Sequence, residues 1–144
     1  MKRRIIIVLG IVLAFCLFGT SSAFATTTSE NLSAYLINHY DRAPRGLRAL
    51  SLSQTLSTLA RSHSYEMRNK RLLFHTINLG SKVTGWHYLG ENVGVGPDLR
   101  KLNAAFMKSY HHRANILCRC YSRIGVGVVR DSRGYYWVTH IFFS

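Results

Sequence analysis

The segment of residues 135–143 limits the folds that this sequence can adopt. Large apolar side chains occupy both sets of alternating positions: Tyr135, Trp137, Ile141 and Phe143 in one set, and Tyr136, Val138 and Phe142 in the other. An extended strand with this pattern is apolar on both faces, so other elements must cover it on both sides. We therefore predict helices on both faces of a sheet that contains residues 135–143.

Helical spacing of apolar residues recurs in three other segments. The first places Leu32, Tyr35, Leu36, His39 and Tyr40 at helical spacing, before an expected loop over residues 41–48. The second follows Ser51 and Ser53 and aligns Leu56, Leu59, Ala60, His63 and Met67 on one face. The third starts at Pro97 and Asp98, aligns Leu99, Leu102 and Phe106, and ends near Tyr110, with one or two more turns over residues 112–117.

Two further segments predict strands that could partner residues 135–143. Residues 90–96 follow a loop rich in Gly and aromatic residues, and residues 121–130 are β-branched and interrupted by Gly before a turn at Asp131–Gly134. We therefore expect an α+β fold, a three-layer α/β/α sandwich with a small, mainly antiparallel central sheet.

The start of the chain has the features of an export signal. Lys2, Arg3 and Arg4 precede an apolar run from Ile5 to Phe18, and the small-residue pattern at Ala23 and Ala25 is typical of a cleavage site. We predict a signal peptide over residues 1–25, cleaved after Ala25, and a secreted single domain over residues 26–144. An uncleaved N-terminal anchor is the alternative.

The charge balance indicates the kind of surface to which the protein would adhere. The chain has 19 Lys and Arg against 6 Asp and Glu, and removing Lys2, Arg3 and Arg4 leaves a net charge of +10. Such a charge attracts anionic wall polymers and membrane surfaces. No signature of specific nucleic-acid binding is visible, and we expect a monomer.

The cysteines do not predict a disulfide framework. Cys16 lies in the predicted signal peptide, and Cys118 and Cys120 are separated by one residue, which is expected to strain an internal bridge. Free thiols, an intermolecular bridge and thiols near a metal are the alternatives.

Residues able to do acid–base or metal chemistry do not form a local catalytic motif. The sequence contains no HExxH, CxxC or nucleophile elbow. The polar side chains set among apolar or Gly-rich neighbours are His75, Glu91 and the pair His111-His112. Of these, His111 is expected at the surface. His63 faces inward on the second helix, where we expect a buried, hydrogen-bonded side chain.

Four motifs in order carry a family resemblance. They are Phe74-His75-Thr76, Leu89–Gly94 (LGENVG), Phe106–Leu117 (FMKSYHHRANIL) and Ile124–Val128 (IGVGV). This combination resembles the CAP superfamily of cysteine-rich secretory, antigen 5 and pathogenesis-related proteins (SCP-like domains), in its disulfide-free bacterial branch. The resemblance covers roughly residues 32–143.

The resemblance implies an α/β/α sandwich with a central cleft in which two His and two Glu can hold a divalent metal such as zinc. His75 matches the first His, Glu91 the first Glu and His112 the second His. Ser109 stands where many members have the second Glu, which leaves at most three protein ligands for Zn²⁺ or another divalent metal. We expect Ser109 and Asn115 to line the cleft as well.

A structural role for the same residues is the alternative. Glu91 and His112 could simply pair and tie two loops together. We expect Arg113 to clamp a carboxylate such as Glu91 and the Asn115 amide to satisfy loop carbonyls. Solvent-facing side chains are the alternative for both residues.

Three functions follow from this sequence. The first is a secreted module that binds a lipid or another extracellular small molecule in the cleft. The second is a metal-dependent hydrolase that uses His75, Glu91 and His112, with Glu91 as the base. The third is a basic protein that adheres to anionic walls or membranes, with no ligand in its cleft.

Overall fold

A computed structural model describes residues 29–144, which form a four-stranded sheet covered by helices. The strands are β1 (Ser51–Leu52), β2 (Leu89–Gly96), β3 (Arg123–Arg130) and β4 (Tyr136–Phe143). Their order is β1-β3-β4-β2, with β1 parallel to β3 and the other pairs antiparallel. The predicted α+β class is confirmed. The predicted signal peptide, residues 1–25, lies outside the described residues.

Helices form two layers on opposite faces of this sheet. Helix α1 covers residues 29–42, and its second half, Leu36–Arg42, is a π-helix. The others are α2 (Gln54–Lys70), α3 (Leu79–Lys82), α4 (Leu99–Lys108) and α5 (Tyr110–Leu117). Helix α2 packs on β3 and β4, while α1, α4 and α5 lie on the other side. In the described part of the chain, no helix is both long and apolar enough to span a bilayer.

Strand β4 is buried on both faces, as its sequence predicts. Every residue from Trp137 to Phe143 is buried. Val138 and Phe142 contribute to the core that α1, α4 and α5 cover, whereas Ile141 and Phe143 pack with Leu56 and other residues on the α2 side. The three-layer architecture follows from this strand.

Two glycines of β3 bring α2 against the sheet. A Cβ on Gly125 would lie 2.3 Å from the backbone carbon of Leu56, and one on Gly127 would lie 2.2 Å from the backbone of Ala60 and Arg61. The helix is capped by Ser53, whose hydroxyl accepts a hydrogen bond from the Leu56 amide. The buried face includes Leu56, Ala60, His63 and Met67, as predicted, and His63 Nε2 lies 2.7 Å from the Phe74 carbonyl oxygen.

The predicted first helix is present, but three of the five residues that indicated it are exposed. Tyr35, His39 and Tyr40 are exposed, and the Tyr35 and His39 rings stack with centroids 4.2 Å apart. The π-helical turn adds a residue per turn, which shifts the phase of the helix and turns Asp41 and Arg42 inward. The helix therefore continues into what the sequence predicted as a loop.

Arg42 is a buried cation that joins α1 to the end of α5. Its side chain donates to the carbonyl oxygens of Arg48 (2.9 Å), Ile116 (2.7 Å) and Cys118 (2.9 Å), and the residue is 1% exposed. Burial lowers the pKa of this guanidinium, but arginine side chains stay protonated in proteins. The last carbonyls of α5 have no partner within the helix, so Arg42 acts as their cap.

Cys118 and Cys120 form a disulfide bond, contrary to the expectation from their spacing. Helix α5 ends at Leu117 and the chain turns over residues 119–120, which brings the two Cα atoms to 5.2 Å. This separation lies within the range for disulfides. The prediction that the chain has no internal disulfide is wrong. It rested on the single residue between the two cysteines and did not consider the turn that follows α5.

Candidate functional site

Glu91 of β2 accepts hydrogen bonds from two consecutive residues of the loop between α2 and α3. Its carboxylate accepts from His75 Nδ1 (2.8 Å), from the Thr76 amide (2.8 Å) and from the Thr76 hydroxyl. The Glu91 side chain is 5% exposed, whereas the His75 side chain is 63% exposed. Because the carboxylate is the acceptor, Nδ1 is the donor of this bond, and Nε2 takes no part in the contact with Glu91.

An open groove adjoins this pair. It has a volume of about 410 Å³, and Leu79, Trp86 and Leu89 form its apolar wall beside His75 and Glu91. The Trp86 indole donates to the Gly80 carbonyl oxygen at 3.1 Å, which fixes the ring although it is 42% exposed. Apolar walls with a few convergent polar groups are typical of small-molecule sites.

A second set of hydrogen bonds ties α5 to β2. Asn92 Nδ2 donates to the His112 carbonyl oxygen (3.0 Å), and Asn115 Nδ2 donates to the Glu91 carbonyl oxygen (3.2 Å) and to Asn92 Oδ1 (2.9 Å). A Cβ on Gly90 would lie 2.4 Å from the Tyr121 hydroxyl. A larger residue at position 90 would therefore displace the Tyr121 and Asn115 side chains. The predicted role of the Asn115 amide is confirmed.

The His112 ring packs on an aromatic side chain rather than pairing with Glu91. Its centroid lies 5.0 Å from that of Phe106. Burial lowers the pKa of His112, and the charges of His75 and His111 lower it further, so His112 is neutral at neutral pH. Ser109 is half-buried at the start of α5 and its side chain makes no capping hydrogen bond.

The candidate residues therefore form two sets along β2. His75 and Glu91 are in contact, while Ser109, His112 and Asn115 belong to the α5 segment. The predicted pairing of Glu91 with His112 is wrong, because the carboxylate binds His75 and Thr76 instead.

Arg113 and His111 are the other two residues of α5 for which the sequence predicted a role or position. Arg113 donates to the Met107 carbonyl oxygen at 3.1 Å, so the predicted clamp on Glu91 is wrong. His111 is exposed, as predicted.

As arranged, these side chains do not fit a zinc ion. Hydrogen bonds occupy both Glu91 oxygens and His75 Nδ1. Across residues 29–144 no three His, Cys, Asp or Glu side chains are grouped closely enough to hold a metal. The three-ligand site from the sequence remains a prediction that would require Glu91 to give up its present partners.

Two residues of this site, Thr76 and Trp86, carry no signal in the sequence that by itself marks them as part of it. Thr76 stands next to His75 in a motif that the sequence does show, and its hydroxyl and amide both reach Glu91. Trp86 lies ten residues further along a loop that has no periodic pattern. Only the fold of that loop beside β2 brings the indole to the groove.

His140 is a buried histidine that the sequence did not single out. It is 1% exposed, its Nε2 lies 2.8 Å from the Ser33 hydroxyl, and the Phe106 ring packs against it. Burial lowers the pKa of His140 to about 3, with a smaller contribution from the charge of His112. The imidazole is therefore neutral in the folded protein at any pH near neutrality.

The histidine at residue 140 makes the fold sensitive to acid. Between its unfolded pKa of about 6.5 and the folded value of about 3, only the unfolded chain takes up the proton. We expect the free energy of unfolding to fall by up to about 1.4 kcal/mol per pH unit in this window. His112 acts in the same direction, whereas Asp41, whose pKa is raised by burial, acts in the opposite one. Urea unfolding at pH 7, 6, 5 and 4 measures the slope.

Two variants check the assignment to His140. His111→Gln changes an exposed histidine and should leave the slope as it is, whereas His140→Gln should flatten it even if the variant is less stable overall. Equal slopes in both variants would contradict the assignment.

Comparison with known proteins is consistent with this architecture. The family model for the cysteine-rich secretory protein family (CAP) matches residues 35–142. The uncharacterized protein YkwD of Bacillus subtilis (strain 168) is 32% identical over 121 residues, which are 78% of this chain and 47% of YkwD. The chain thus spans about half the length of this relative.

Solved structures share the fold at low sequence identity. An outer surface protein from Borrelia burgdorferi superimposes with a TM-score of 0.73 at 15% identity, over 81% of this chain and 92% of that protein. An extracellular protein containing a SCP domain from Bacillus anthracis str. Ames gives a TM-score of 0.68 at 21% identity, over 86% of this chain and 43% of that protein. These structures show the shared fold, and the family match over residues 35–142 shows that the chain belongs to the cysteine-rich secretory protein (CAP) family.

Proposed function

We propose that this protein is an extracellular binding module whose ligand, a lipid or a similar amphiphile, lies in the groove beside His75 and Trp86. The observation that carries the proposal is the set of three hydrogen bonds that the Glu91 carboxylate accepts. These bonds to His75 and Thr76 make Glu91 a support for the imidazole rather than a base or a metal ligand. The groove then offers an apolar wall and one exposed polar nitrogen, which suit an amphiphile.

An extracellular location is part of the proposal. The apolar run and the cleavage pattern before residue 26 support it, and the similar Bacillus anthracis protein is described as extracellular. The disulfide between Cys118 and Cys120 also favours an oxidising compartment.

Trp86 provides a direct reporter of binding. The two tryptophans differ in exposure, since Trp86 is 42% exposed and Trp137 is 4% exposed. We expect monomeric dihexanoylphosphatidylcholine to shift the emission of Trp86 to shorter wavelength in a saturable way, because the ligand excludes water from the indole. This probe has no net charge, so the shift should persist at high salt, whereas adhesion through basic charge would be screened. Loss of the shift at high salt would favour the adhesion function.

Variants of the groove wall test whether the ligand binds in the groove and which contacts hold it there. Leu79→Asn should weaken binding by about tenfold because it removes apolar contact worth roughly 1.4 kcal/mol. The matched control is Leu72→Asn, which changes an exposed leucine outside the groove and should leave affinity within about twofold. His75→Ala should change affinity by less than about fivefold, since one hydrogen bond contributes about 1 kcal/mol or less. Unchanged binding in Leu79→Asn would contradict the proposal.

A metal-dependent hydrolase is the weaker proposal, and the contact between His75 and Glu91 is the observation that favours it. Zinc at this site would need His75 and Glu91 to rearrange toward His112. Calorimetric titration of metal-stripped protein with zinc, alongside His75→Ala and His112→Ala, tests this directly. Stoichiometric binding that both substitutions abolish would establish the metal site and displace the binding-module proposal.

A further inference from the structure

A second cavity lies between the start of α2 and the segment after α3. It has a volume of about 300 Å³ and shares no lining residue with the groove beside His75. We call it the α2–α3 pocket and define it by six of its lining residues: Leu56, Leu59, Lys82, Val83, Arg123 and Phe143. Its volume lies at the lower end of the range of about 300–1,000 Å³ that is typical of small-molecule pockets.

The α2–α3 pocket has an apolar floor. Leu56, Val83 and Phe143 are buried and belong to one core cluster, against which Leu59 packs. These side chains come from a helix, a loop and a strand that the core holds in place, so the floor is preformed. A preformed apolar surface binds the apolar part of a ligand with little loss of conformational entropy.

The rim of the α2–α3 pocket is positively charged. Lys82 and Arg123 are exposed there, and among the described residues no carboxylate lies within 4.0 Å of either cation. The Arg123 guanidinium is held 4.1 Å above the Phe143 ring, which fixes it at the edge of the floor. Glu66, which interacts electrostatically with Lys82, already binds Lys70 at 2.7 Å.

We propose that the α2–α3 pocket binds an organic anion, with an apolar body on the floor and a carboxylate or similar group between Lys82 and Arg123. Hydroxyl groups of Ser53, Thr55 and Thr84 also line the cavity and can donate to the anion. All side chains that could meet the charged group are therefore cationic or neutral. This site is separate from the groove of the proposed function and does not depend on it.

A pair of isosteric probes tests the charge requirement. We expect 4-butylbenzoate to bind the protein at neutral pH at least about tenfold more tightly than the neutral 4-butylbenzamide. Backbone amide signals of Val83 and Thr84 should shift in nuclear magnetic resonance spectra, while those of Gly90 and Glu91 should not. Equal affinity for the two probes, or shifts confined to Gly90 and Glu91, would overturn the proposal.

Charge-matched variants locate the anion. Lys82→Gln with Arg123→Gln should lower affinity for 4-butylbenzoate by about tenfold or more, because both cations contact the carboxylate. The control is Arg100→Gln with Lys101→Gln on α4, which removes the same charge from the opposite face and should change affinity by less than about twofold. The single variant Lys82→Gln keeps Arg123 on Phe143 and should lose affinity in part. Similar losses in the two double variants would show only a response to net charge and would overturn the proposal.

Discussion

Gly127→Ala is expected to destabilise the fold by more than about 4 kcal/mol and to prevent stable folding at ordinary temperature. A Cβ at this residue would lie 2.2 Å from the backbone of Ala60 and Arg61 in α2. Backbone atoms of a buried helix cannot move aside like the end of a flexible side chain. Helix α2 would have to leave β3, and it carries much of the buried core on that face.

A glycine in another strand of the sheet is the control for this substitution. Gly96 of β2 has a backbone that alanine can adopt, and its added Cβ would lie 3.7 Å from Leu102, an ordinary contact. We expect Gly96→Ala to change the free energy of unfolding by less than about 1 kcal/mol. Thermal and urea unfolding monitored by circular dichroism measures both variants. A Gly127→Ala protein as stable as the parent would mean that α2 does not pack this closely on β3.

The substitution Arg42→Met is expected to cost about 3–5 kcal/mol of unfolding free energy. It leaves the carbonyl oxygens of Arg48, Ile116 and Cys118 without their donor. Methionine fills much of the same volume, so the loss reports on the hydrogen bonds more than on a cavity. Because the guanidinium belongs to a residue that is 1% exposed, water cannot replace it readily.

Arg48→Met is the matched control, since it removes the same side chain from an exposed position of the next loop. It should shift the free energy of unfolding by no more than about 0.5 kcal/mol. Urea unfolding of both variants gives the comparison. Arg42→Lys should recover only part of the loss, because one ammonium cannot reach all three carbonyls as the planar guanidinium does. Equal stability of Arg42→Met and Arg48→Met would show that Arg42 does not stabilise the fold as a cap of α5.

The hydrogen bonds that Glu91 accepts link the fold to the proposed function. The motif Leu89–Gly94 places Glu91 on β2, the strand at one edge of the sheet. The chain that follows α2 passes beside this strand. The segment between α2 and β2, which includes α3, therefore contributes His75 and Thr76 to the carboxylate and Trp86 to the groove. One segment of chain thus forms both the polar and the apolar sides of the candidate binding site.

The positions of the secondary elements could largely be predicted from the sequence. The two-sided apolar pattern of residues 135–143 predicted a covered strand, and the spacing of Leu56, Ala60, His63 and Met67 predicted the buried face of α2. Both patterns arise within a single helix or strand, where the spacing of apolar residues along the chain shows which face is buried. The helix caps Ser53 and Asp98 could be predicted as well, because each side chain binds a backbone amide only three residues further along the chain.

Contacts between distant segments were decided only by the tertiary structure. Sequence motifs selected His75, Glu91 and His112, but they could not tell that Glu91 binds His75 while the His112 ring packs on Phe106. The inward turn of Arg42 depends on a π-helix, and the bond between Cys118 and Cys120 depends on the turn after α5. Each of these features is set by how elements pack and where chains turn, whereas spacing along one element records only which face of it is buried.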